Sequence, residues 1–253
     1  MSAQRLVGKI QRLVADRGLP GAVTYCARRL LRGQLAHPFD RQYGTKTGGL
    51  ISGGKLAAGH PHGAYSTAYY GIAPSLFRQL CQRWIASLTS AEEVGKYTFV
   101  DIGAGKGRAL LLASELPFCE VVGVELNAGL VEVAEKNIQL WMQMRRDCAP
   151  IRIVLQEATE FEWPGTPLVV YLFSPFGQLV LERLIARLLA SYRAHPRPID
   201  LLYVTPEHRS VLDHHEAFEP VWSEHLCMDR ADRAADLVSS AGELCHAYRV
   251  KMG

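Results

Sequence analysis

The stretch that decides the fold is Phe99-Val100-Asp101-Ile102-Gly103-Ala104-Gly105-Lys106-Gly107-Arg108, which leads directly into the helical run Ala109 to Ser114. An apolar strand, a glycine-rich turn and a helix in this order are typical of the first βα unit of an open parallel sheet. Glycines in such a turn let the backbone come close to a ligand and present the amides of the helix start. The stretch therefore predicts a ligand site at the carboxyl end of this strand.

The spacing of the glycines indicates which class of ligand this turn binds. It is G-x-G-x-G, with Asp101 two residues ahead, whereas the dinucleotide fingerprint is G-x-G-x-x-G. Arg108 stands where that fingerprint has its last Gly or Ala, and its bulk disfavours the close helix-to-strand packing of dinucleotide sites. The next strand ends at Glu125, 22 residues after Gly103, and its carboxylate can accept hydrogen bonds from both hydroxyls of a ribose. The pattern predicts an adenosine-bearing cofactor without a pyrophosphate.

From residue 96 onward, apolar strand segments alternate with helical segments. This rhythm is typical of parallel strands joined by helical crossovers, and continuous Val/Ile/Leu runs indicate a sheet that is covered on both faces. We predict an α/β fold with a doubly wound, mostly parallel seven-stranded sheet. The predicted strands are Tyr97 to Ile102, Val121 to Leu126, Ile151 to Leu155, Leu168 to Phe173, Leu201 to Val204, Phe218 to Met228 and Leu244 to Val250.

Residues 1–95 have a different pattern and are predicted to form an N-terminal helical and Gly-rich lid extension to a catalytic domain at 96–253. Two short basic amphipathic helices, over 3–17 and up to residue 32, precede an irregular glycine-rich loop over 33–65. A further helix is expected to start at Pro74, because proline suits the first turn, and to end near Leu88.

The charge of the chain is unevenly distributed. Residues 1–46 contain nine Lys or Arg and two Asp, which gives +7 and leaves −4 for the remainder of a chain whose net charge is +3. A basic amphipathic arm of this kind is interpreted as a lid with solvated arginines, or as a surface that meets an acidic partner, RNA or an anionic membrane.

Composition excludes several classes of protein. The 253 residues are 48% apolar and 21% charged, which is typical of a globular protein and excludes collagen, a coiled coil and a disordered chain. No two of the six cysteines have metal or redox spacing, and the pairs His60/His62 and His214/His215 lack ligand partners at a recognised spacing, so no metal is expected. Met1 to Leu13 has no signal-peptide core and no apolar run is long enough to span a membrane, so a cytoplasmic protein without a transmembrane segment is expected.

Asp101 to Gly107, together with Glu125, resembles the first motif and the ribose-binding acid of the class I (seven-strand, Rossmann-like) S-adenosylmethionine-dependent methyltransferases. The resemblance covers Tyr97 to Val250. It implies that the glycine loop holds the methionine and ribose portions of S-adenosylmethionine, whose product is S-adenosylhomocysteine, and that Asp101 orients the amino end. The adenine contact would follow the third strand, where the family often has an Asp and this chain has Glu157. The implied cofactor residues are Asp101, Gly103, Ala104, Gly105, Lys106, Gly107, Glu125, Leu126, Glu157, Ala158, Tyr70 and Pro74.

The segment after the fourth predicted strand resembles the family's Asn/Asp-Pro-Pro-Phe/Tyr motif, with one proline missing and Ser174 in place of the acceptor-binding residue. The resemblance implies that the methyl transfer site is lined by Tyr171, Ser174, Pro175 and Phe176.

Two further likenesses involve the upstream part of the chain. Tyr69 to Ser75 is similar to the arrangement in seven-strand protein lysine methyltransferases, where a Tyr and a Pro close over the cofactor; those residues here are Tyr70 and Pro74. The chain is also similar to bacterial proteins of this fold that carry Phe-Asp-x-x-Tyr-Gly-Thr near the start, here Phe39 to Thr45, and Gly-Lys-Gly-Arg in the glycine loop.

Together these features predict an S-adenosylmethionine-dependent methyltransferase that moves a methyl group by in-line displacement. Nitrogen is the preferred acceptor, as a protein lysine or another amine. Two alternatives stay open at this point: a small-molecule O- or N-methyltransferase of specialised metabolism, and a non-catalytic S-adenosylmethionine-binding interaction protein.

Overall fold

The computed structural model describes residues 36–51, 53, 69–145, 147–236 and 241–251. The two predicted N-terminal helices and the His60/His62 pair lie outside these residues, as does most of the basic arm. Residues from His37 onward form one compact unit.

The centre of the protein is a seven-stranded mixed sheet, as predicted. Its strand order is β3-β2-β1-β4-β5-β7-β6, with β1 to β5 parallel and the last two antiparallel. The parallel part has the order 3-2-1-4-5 of doubly wound folds, in which ligands bind outside the carboxyl ends of the strands where the order reverses, here between β1 and β4. The strands are β1 (Thr98–Ile102), β2 (Glu120–Glu125), β3 (Ile151–Leu155), β4 (Leu168–Phe173), β5 (Ile199–Val204), β6 (Phe218–Cys227) and β7 (Gly242–Val250).

Helices cover both faces of this sheet, which is why the central strands are apolar throughout. One face packs against Phe77 and Trp84, and the other against Leu184 and Leu188. The helices in the described ranges are α1 (Pro38–Tyr43), α2 (Pro74–Ile85), α3 (Arg108–Ala113), α4 (Ala128–Met144), α5 (Gln178–Ala194), α6 (Ser210–Asp213) and α7 (Arg230–Ala235). In the part of the chain that the structure describes, no helix is both long and apolar enough to cross a membrane.

Helix α1 corrects the expectation that residues 33–65 are irregular throughout. Pro38 begins the helix, the His37 Nδ1 accepts a hydrogen bond from Phe39 N at 3.2 Å, and Gly44 ends it with a φ of 66°. The Phe39 ring stacks on Trp141 of α4 with centroids 5.7 Å apart. Because Trp141, which holds Phe39 in place, lies on a distant helix, the glycine content of residues 33–65 did not predict helix α1. A short helix, α7, also lies in the polar stretch between the last two strands.

Two predicted helix ends were too late in the chain. Helix α3 ends at Ala113, and α2 ends at Ile85, since the amides of Ser87 and Leu88 bond to carbonyl oxygens three residues earlier and close the last turn. The predicted start of α2 at Pro74 is confirmed.

A buried polar cluster fixes α2 to the amino-terminal end of β5. Asp200 accepts a hydrogen bond from Trp84 Nε1 at 2.8 Å and two from Arg249, at 2.7 Å and 3.0 Å. The Asp200 side chain is only 2% exposed, so its charge depends on these donors. The cluster lies at the end of the sheet opposite the glycine loop.

Stability is predicted to fall in mild acid because of His37. Burial, and next the charge of Arg108, lower the pKa of His37 from 6.5 to about 4, so the folded state favours the neutral ring. The stabilisation is complete above pH 6.5 and is lost as the pH falls towards 4, by about 2 kcal/mol once partial solvent contact of the ring is allowed for. Chemical denaturation at several pH values measures it.

His37→Asn is the reference protein for this measurement, since asparagine can cap α1 but does not titrate. The difference in unfolding free energy between wild type and His37→Asn should shrink from pH 7 to pH 4. A difference that stays constant over this range would contradict the assignment.

Candidate functional site

The glycine loop, residues 103–107, lies at the carboxyl end of β1 and turns back over the tip of β2. Gly103, Gly105 and Gly107 have φ angles of 79°, 55° and 82°, in the left-handed region that favours glycine. The amides of Gly103 and Ala104 both donate to the Val124 carbonyl, at 2.9 Å and 3.1 Å. The loop therefore depends on glycine for its backbone shape and on β2 for its position.

Side chains of the protein itself fill the space that a Cβ would need in this loop. A Cβ on Gly105 would lie 2.2 Å from Cε2 of Tyr69, and one on Gly103 would lie 2.7 Å from Cβ of Pro175. Tyr69 and Pro175 thus form two walls against the loop. The ring that packs on the glycine loop is that of Tyr69, and the cofactor role of its neighbour Tyr70 stays a prediction.

Glu125, at the tip of β2, presents a buried carboxylate to the glycine loop. Its Oε2 accepts a hydrogen bond from Gly105 N and its Oε1 accepts one from Asn127 N, both at 2.8 Å. Burial raises the pKa of Glu125, while the two backbone donors favour its ionised form. Each oxygen has a second acceptor position, so the carboxylate can still receive two hydroxyl donors.

Asp101 is a second buried carboxyl group beside the same loop. Its pKa is raised well above the usual range by burial, and further by the charge of Glu125. None of the described residues donates a hydrogen bond to it, and the hydroxyl of Tyr171, its register neighbour on β4, is buried and also lacks a partner within the described ranges. Buried polar groups without partners are uncommon, and a ligand is one way to satisfy them.

The carboxyl ends of β4 and β5 carry unusual backbone conformations. Ser174 and Thr205 have φ angles of 38° and 49°, which cost non-glycine residues about 1–3 kcal/mol each and are typically found at functional sites. The Ser174 hydroxyl donates to the Thr205 carbonyl, and the Thr205 hydroxyl donates to Glu243 Oε2 at 2.7 Å. These bonds connect Ser174, which is predicted to line the methyl transfer site, to the buried carboxylate of Glu243 at the start of β7.

Tyr70 belongs to this second group. Its ring meets Phe173 edge-on with centroids 4.9 Å apart, and its hydroxyl lies near the side chain of Thr205. Burial, and next the charge of Glu243, raise the pKa of Tyr70, so the phenol stays protonated. The structure therefore places Tyr70 at the ends of β4 and β5.

Other predicted residues occupy the rim of this region. Lys106 Nζ donates to the Gly48 carbonyl at 2.6 Å, and the Glu157 carboxylate accepts from Thr159 N at the start of a short 3₁₀ helix, Ala158–Glu160. The hydrogen bond from Gln156 N to the Glu125 carbonyl, at 2.9 Å, brings the end of β3 next to β2. The cofactor roles of Leu126, Glu157, Ala158 and Pro74 and the catalytic role of Phe176 stay predictions.

Sequence reasoning did not assign a role to the polar residues on which the loop rests. Asp40 and Thr47 meet Arg108 in a buried cluster behind the loop, and Asn137 of α4 bonds to the Lys46 amide and the Lys106 carbonyl. The available signal was the joint presence of the Phe-Asp-x-x-Tyr-Gly-Thr and Gly-Lys-Gly-Arg motifs, which contain Asp40 and Arg108. No group of three or more potential metal ligands occurs among the residues that the structure describes.

Comparison with known proteins returns structural neighbours only. No protein-family model matches the chain, and no curated protein sequence matches it. A ribosomal protein L11 methylase from Lactobacillus delbrueckii subsp. bulgaricus is 15% identical, over 70% of this chain and 79% of that chain, with a TM-score of 0.45.

Two further neighbours were solved with ligands. The N-methyltransferase NodS from Bradyrhizobium japonicum, in complex with S-adenosyl-L-homocysteine, is 11% identical over 70% of this chain and 86% of that chain, with a TM-score of 0.46. Magnesium protoporphyrin IX methyltransferase from Synechocystis, with bound SAM, is 11% identical over 69% of this chain and 79% of that chain, with a TM-score of 0.48. At these values of identity and TM-score, the function has to be argued from this chain's own residues.

The packing of Tyr69 on Gly105 predicts that substitutions at these two positions have strongly coupled effects on the free energy of unfolding. Gly105→Ala combines an unfavourable φ with a clash and should lower the unfolding free energy by about 3 kcal/mol or more. In a Tyr69→Ala background, where the clash is absent, the same change should cost about 1–2 kcal/mol. Urea denaturation of the four proteins gives the coupling directly.

Gly165→Ala is the matched control, because a Cβ there meets nothing within 4 Å, and it should change stability by less than about 0.5 kcal/mol. Equal costs for Gly105→Ala in both backgrounds would show that the ring does not hold the loop.

Proposed function

We propose that the protein is an S-adenosylmethionine-dependent methyltransferase. The observation that carries the proposal is the pair of buried carboxyl groups, Asp101 and Glu125, at the glycine loop where the strand order of the sheet reverses. A nucleoside bound in this crevice would lay its ribose against Glu125, whose oxygens have acceptor positions left for both hydroxyls.

The charge at the loop favours this cofactor over a dinucleotide. Buried carboxyl groups without a basic partner offer nothing to stabilise a pyrophosphate, whereas the ammonium and sulfonium of S-adenosylmethionine would stabilise the ionised forms of both. Asp101 has no donor among the described residues, so the amino group of the cofactor would supply the hydrogen bonds it lacks. The residues present therefore fit S-adenosylmethionine.

When bound, the cofactor supplies an electrophilic methyl group on a positively charged sulfur. Methyl transfer by in-line displacement needs mainly alignment and exclusion of water, contributions that are worth up to about 7–11 kcal/mol. In this chain, Asp101 would hold the amino group of the cofactor and Glu125 its ribose, while Tyr69 and Pro175 pack against the glycine loop.

We further propose that the acceptor is an amine, as in a lysine side chain or a small basic metabolite. The ends of β4 and β5 present the rings of Tyr70 and Phe173 beside the buried carboxylate Glu243. Aromatic faces and a carboxylate both attract an ammonium group, and burial favours the loss of its proton before attack. A hydroxyl acceptor would gain less from these groups.

The cofactor assignment predicts that S-adenosylhomocysteine and S-adenosylmethionine bind in calorimetry and that NAD does not. Glu125→Gln removes the charge that would face the ribose and should weaken binding about 10- to 100-fold. Glu120→Gln, at the opposite end of the same strand, is the matched control and should stay within about twofold of wild type. Binding of NAD in place of both nucleosides would refute the assignment.

A transfer assay separates an enzyme from a non-catalytic binding protein. Incubation of cell extract with the protein and methyl-labelled S-adenosylmethionine should label an acceptor, and the label should resist mild alkali, because N-methyl groups are stable where methyl esters hydrolyse. Binding without any labelled acceptor would favour the interaction protein, and alkali-labile label would favour a carboxylate as the acceptor.

A further inference from the structure

We infer that Asp40 is a positioning residue for cofactor binding, which acts through Arg108 and Thr47 to hold the glycine loop in its binding conformation. The inference rests on the proposed function, since the ligand whose affinity it concerns is the proposed cofactor.

The glycine loop has little support of its own. Its three left-handed glycines have the largest backbone entropy to lose, and the hydrogen bond within the loop joins Gly107 N to the Ala104 carbonyl at 2.9 Å. A loop of this kind keeps one conformation only if neighbouring segments hold it.

Asp40 organises one such neighbour, the Asp40 turn, residues 44–48. Its Oδ1 accepts hydrogen bonds from the Thr45 hydroxyl at 2.8 Å and from the amide and hydroxyl of Thr47 at 2.8 Å and 2.6 Å. Its Oδ2 accepts from Gly48 N at 2.7 Å and lies 3.5 Å from Arg108 Nη2. A carboxylate with four hydrogen bonds and an arginine beside it fixes this turn, and these donors hold the pKa of Asp40 below its usual value against the effect of burial.

Arg108 carries this constraint to the glycine loop, because it directly follows Gly107 and begins α3. Its Nε donates to Thr47 Oγ1 at 2.7 Å, and its Nη1 donates to the carbonyl oxygens of Gly71 and Ile72, both at 3.2 Å. The side chain is only 3% exposed. A positive charge at a helix start opposes the helix dipole, so Asp40 is needed to keep it there.

Two glycines leave room for the Asp40–Arg108 ion pair, because a side chain at either position would clash with it. A Cβ on Gly48 would lie 2.9 Å from Asp40 Oδ2, and a Cβ on Gly71 would lie 2.9 Å from Arg108 Cζ. These two glycines let the Asp40 turn and the strand-like segment before α2 approach the ion pair closely.

Additional contacts join the Asp40 turn to the loop directly. Asn137 accepts from Lys46 N at 2.8 Å and donates to the Lys106 carbonyl at 2.9 Å. Tyr69, whose ring packs on Gly105, donates its hydroxyl hydrogen to the Thr47 carbonyl at 2.7 Å. Displacement of the turn would therefore reach Gly105, whose amide contacts the proposed ribose acid Glu125.

The test compares Asp40→Asn with Asp200→Asn, since both remove a buried carboxylate that is paired with an arginine, but Asp200 lies at the far end of the sheet. In Asp40→Asn, the amide NH₂ takes the place of one carboxylate oxygen, so it faces either Gly48 N or the donors that bond to Oδ1. The substitution also removes the carboxylate that lies 3.5 Å from Arg108. We expect the dissociation constant for S-adenosylhomocysteine to rise about tenfold or more in Asp40→Asn and to stay within about twofold of wild type in Asp200→Asn. Melting temperatures should fall in both.

Thr47→Val keeps the shape of the side chain and removes only the hydroxyl that links Asp40 to Arg108, so it serves if Asp40→Asn does not fold. We expect it to weaken binding about threefold or more. Affinity as high as in wild type for the folded variants would overturn the inference, as would an equal loss in Asp200→Asn.

Hydrogen exchange of the amides of residues 103–108 provides a readout that needs no ligand. These amides should exchange faster in Asp40→Asn than in Asp200→Asn, when both are compared at the same distance below their melting temperatures. Failure of wild type to bind S-adenosylhomocysteine would refute the proposed function but leave this comparison intact, and equal exchange in the two variants would refute the positioning role.

Discussion

The candidate site depends on one buried ion pair, Asp40 with Arg108. It joins a short helix near residue 40, a turn, the segment before α2 and the first residue after the glycine loop. Two charges that are almost fully buried depend on the groups that hydrogen-bond to them, and here the hydroxyl of Thr47 both donates to Asp40 and accepts from Arg108. Arg108 Nη2 lies 3.5 Å from Asp40 Oδ2 and makes no hydrogen bond within the described residues. The region upstream of β1 is thus an integral part of the glycine loop's environment, beyond the covering role expected of a lid.

On the ligand side of the glycine loop, the buried acidic groups are not paired with a basic side chain of the described residues. Asp101 and Glu125 are buried carboxyl groups without an arginine or lysine partner among the described residues, and burial raises the pKa of both. The positive charge of Arg108 is already committed to Asp40. The crevice is therefore prepared for a ligand that brings its own positive charge, which is the physical basis for proposing S-adenosylmethionine.

Local patterns predicted the sheet well because each parallel strand is a short, mostly apolar run that ends at turn residues, and because the glycine loop and Glu125 lie at the ends of two strands that are consecutive in the sequence. Helix α1 was missed because Phe39 is held by Trp141 of a distant helix. The ion pair was missed for a similar reason: Asp40 and Arg108 are 108 − 40 = 68 positions apart, and local sequence spacing carries no information about such contacts. The packing of Tyr69 on the glycine loop could not be predicted, because the sequence does not show on which side of the chain each of the two neighbouring tyrosine rings lies.

A crystal structure of the protein with S-adenosylhomocysteine tests the central claim most directly. The account predicts the ribose beside β2, with both hydroxyls within about 3 Å of the Glu125 carboxylate, and the amino group of the ligand beside Asp101. A nucleoside bound away from the glycine loop, or turned so that its ribose does not reach Glu125, would contradict the account.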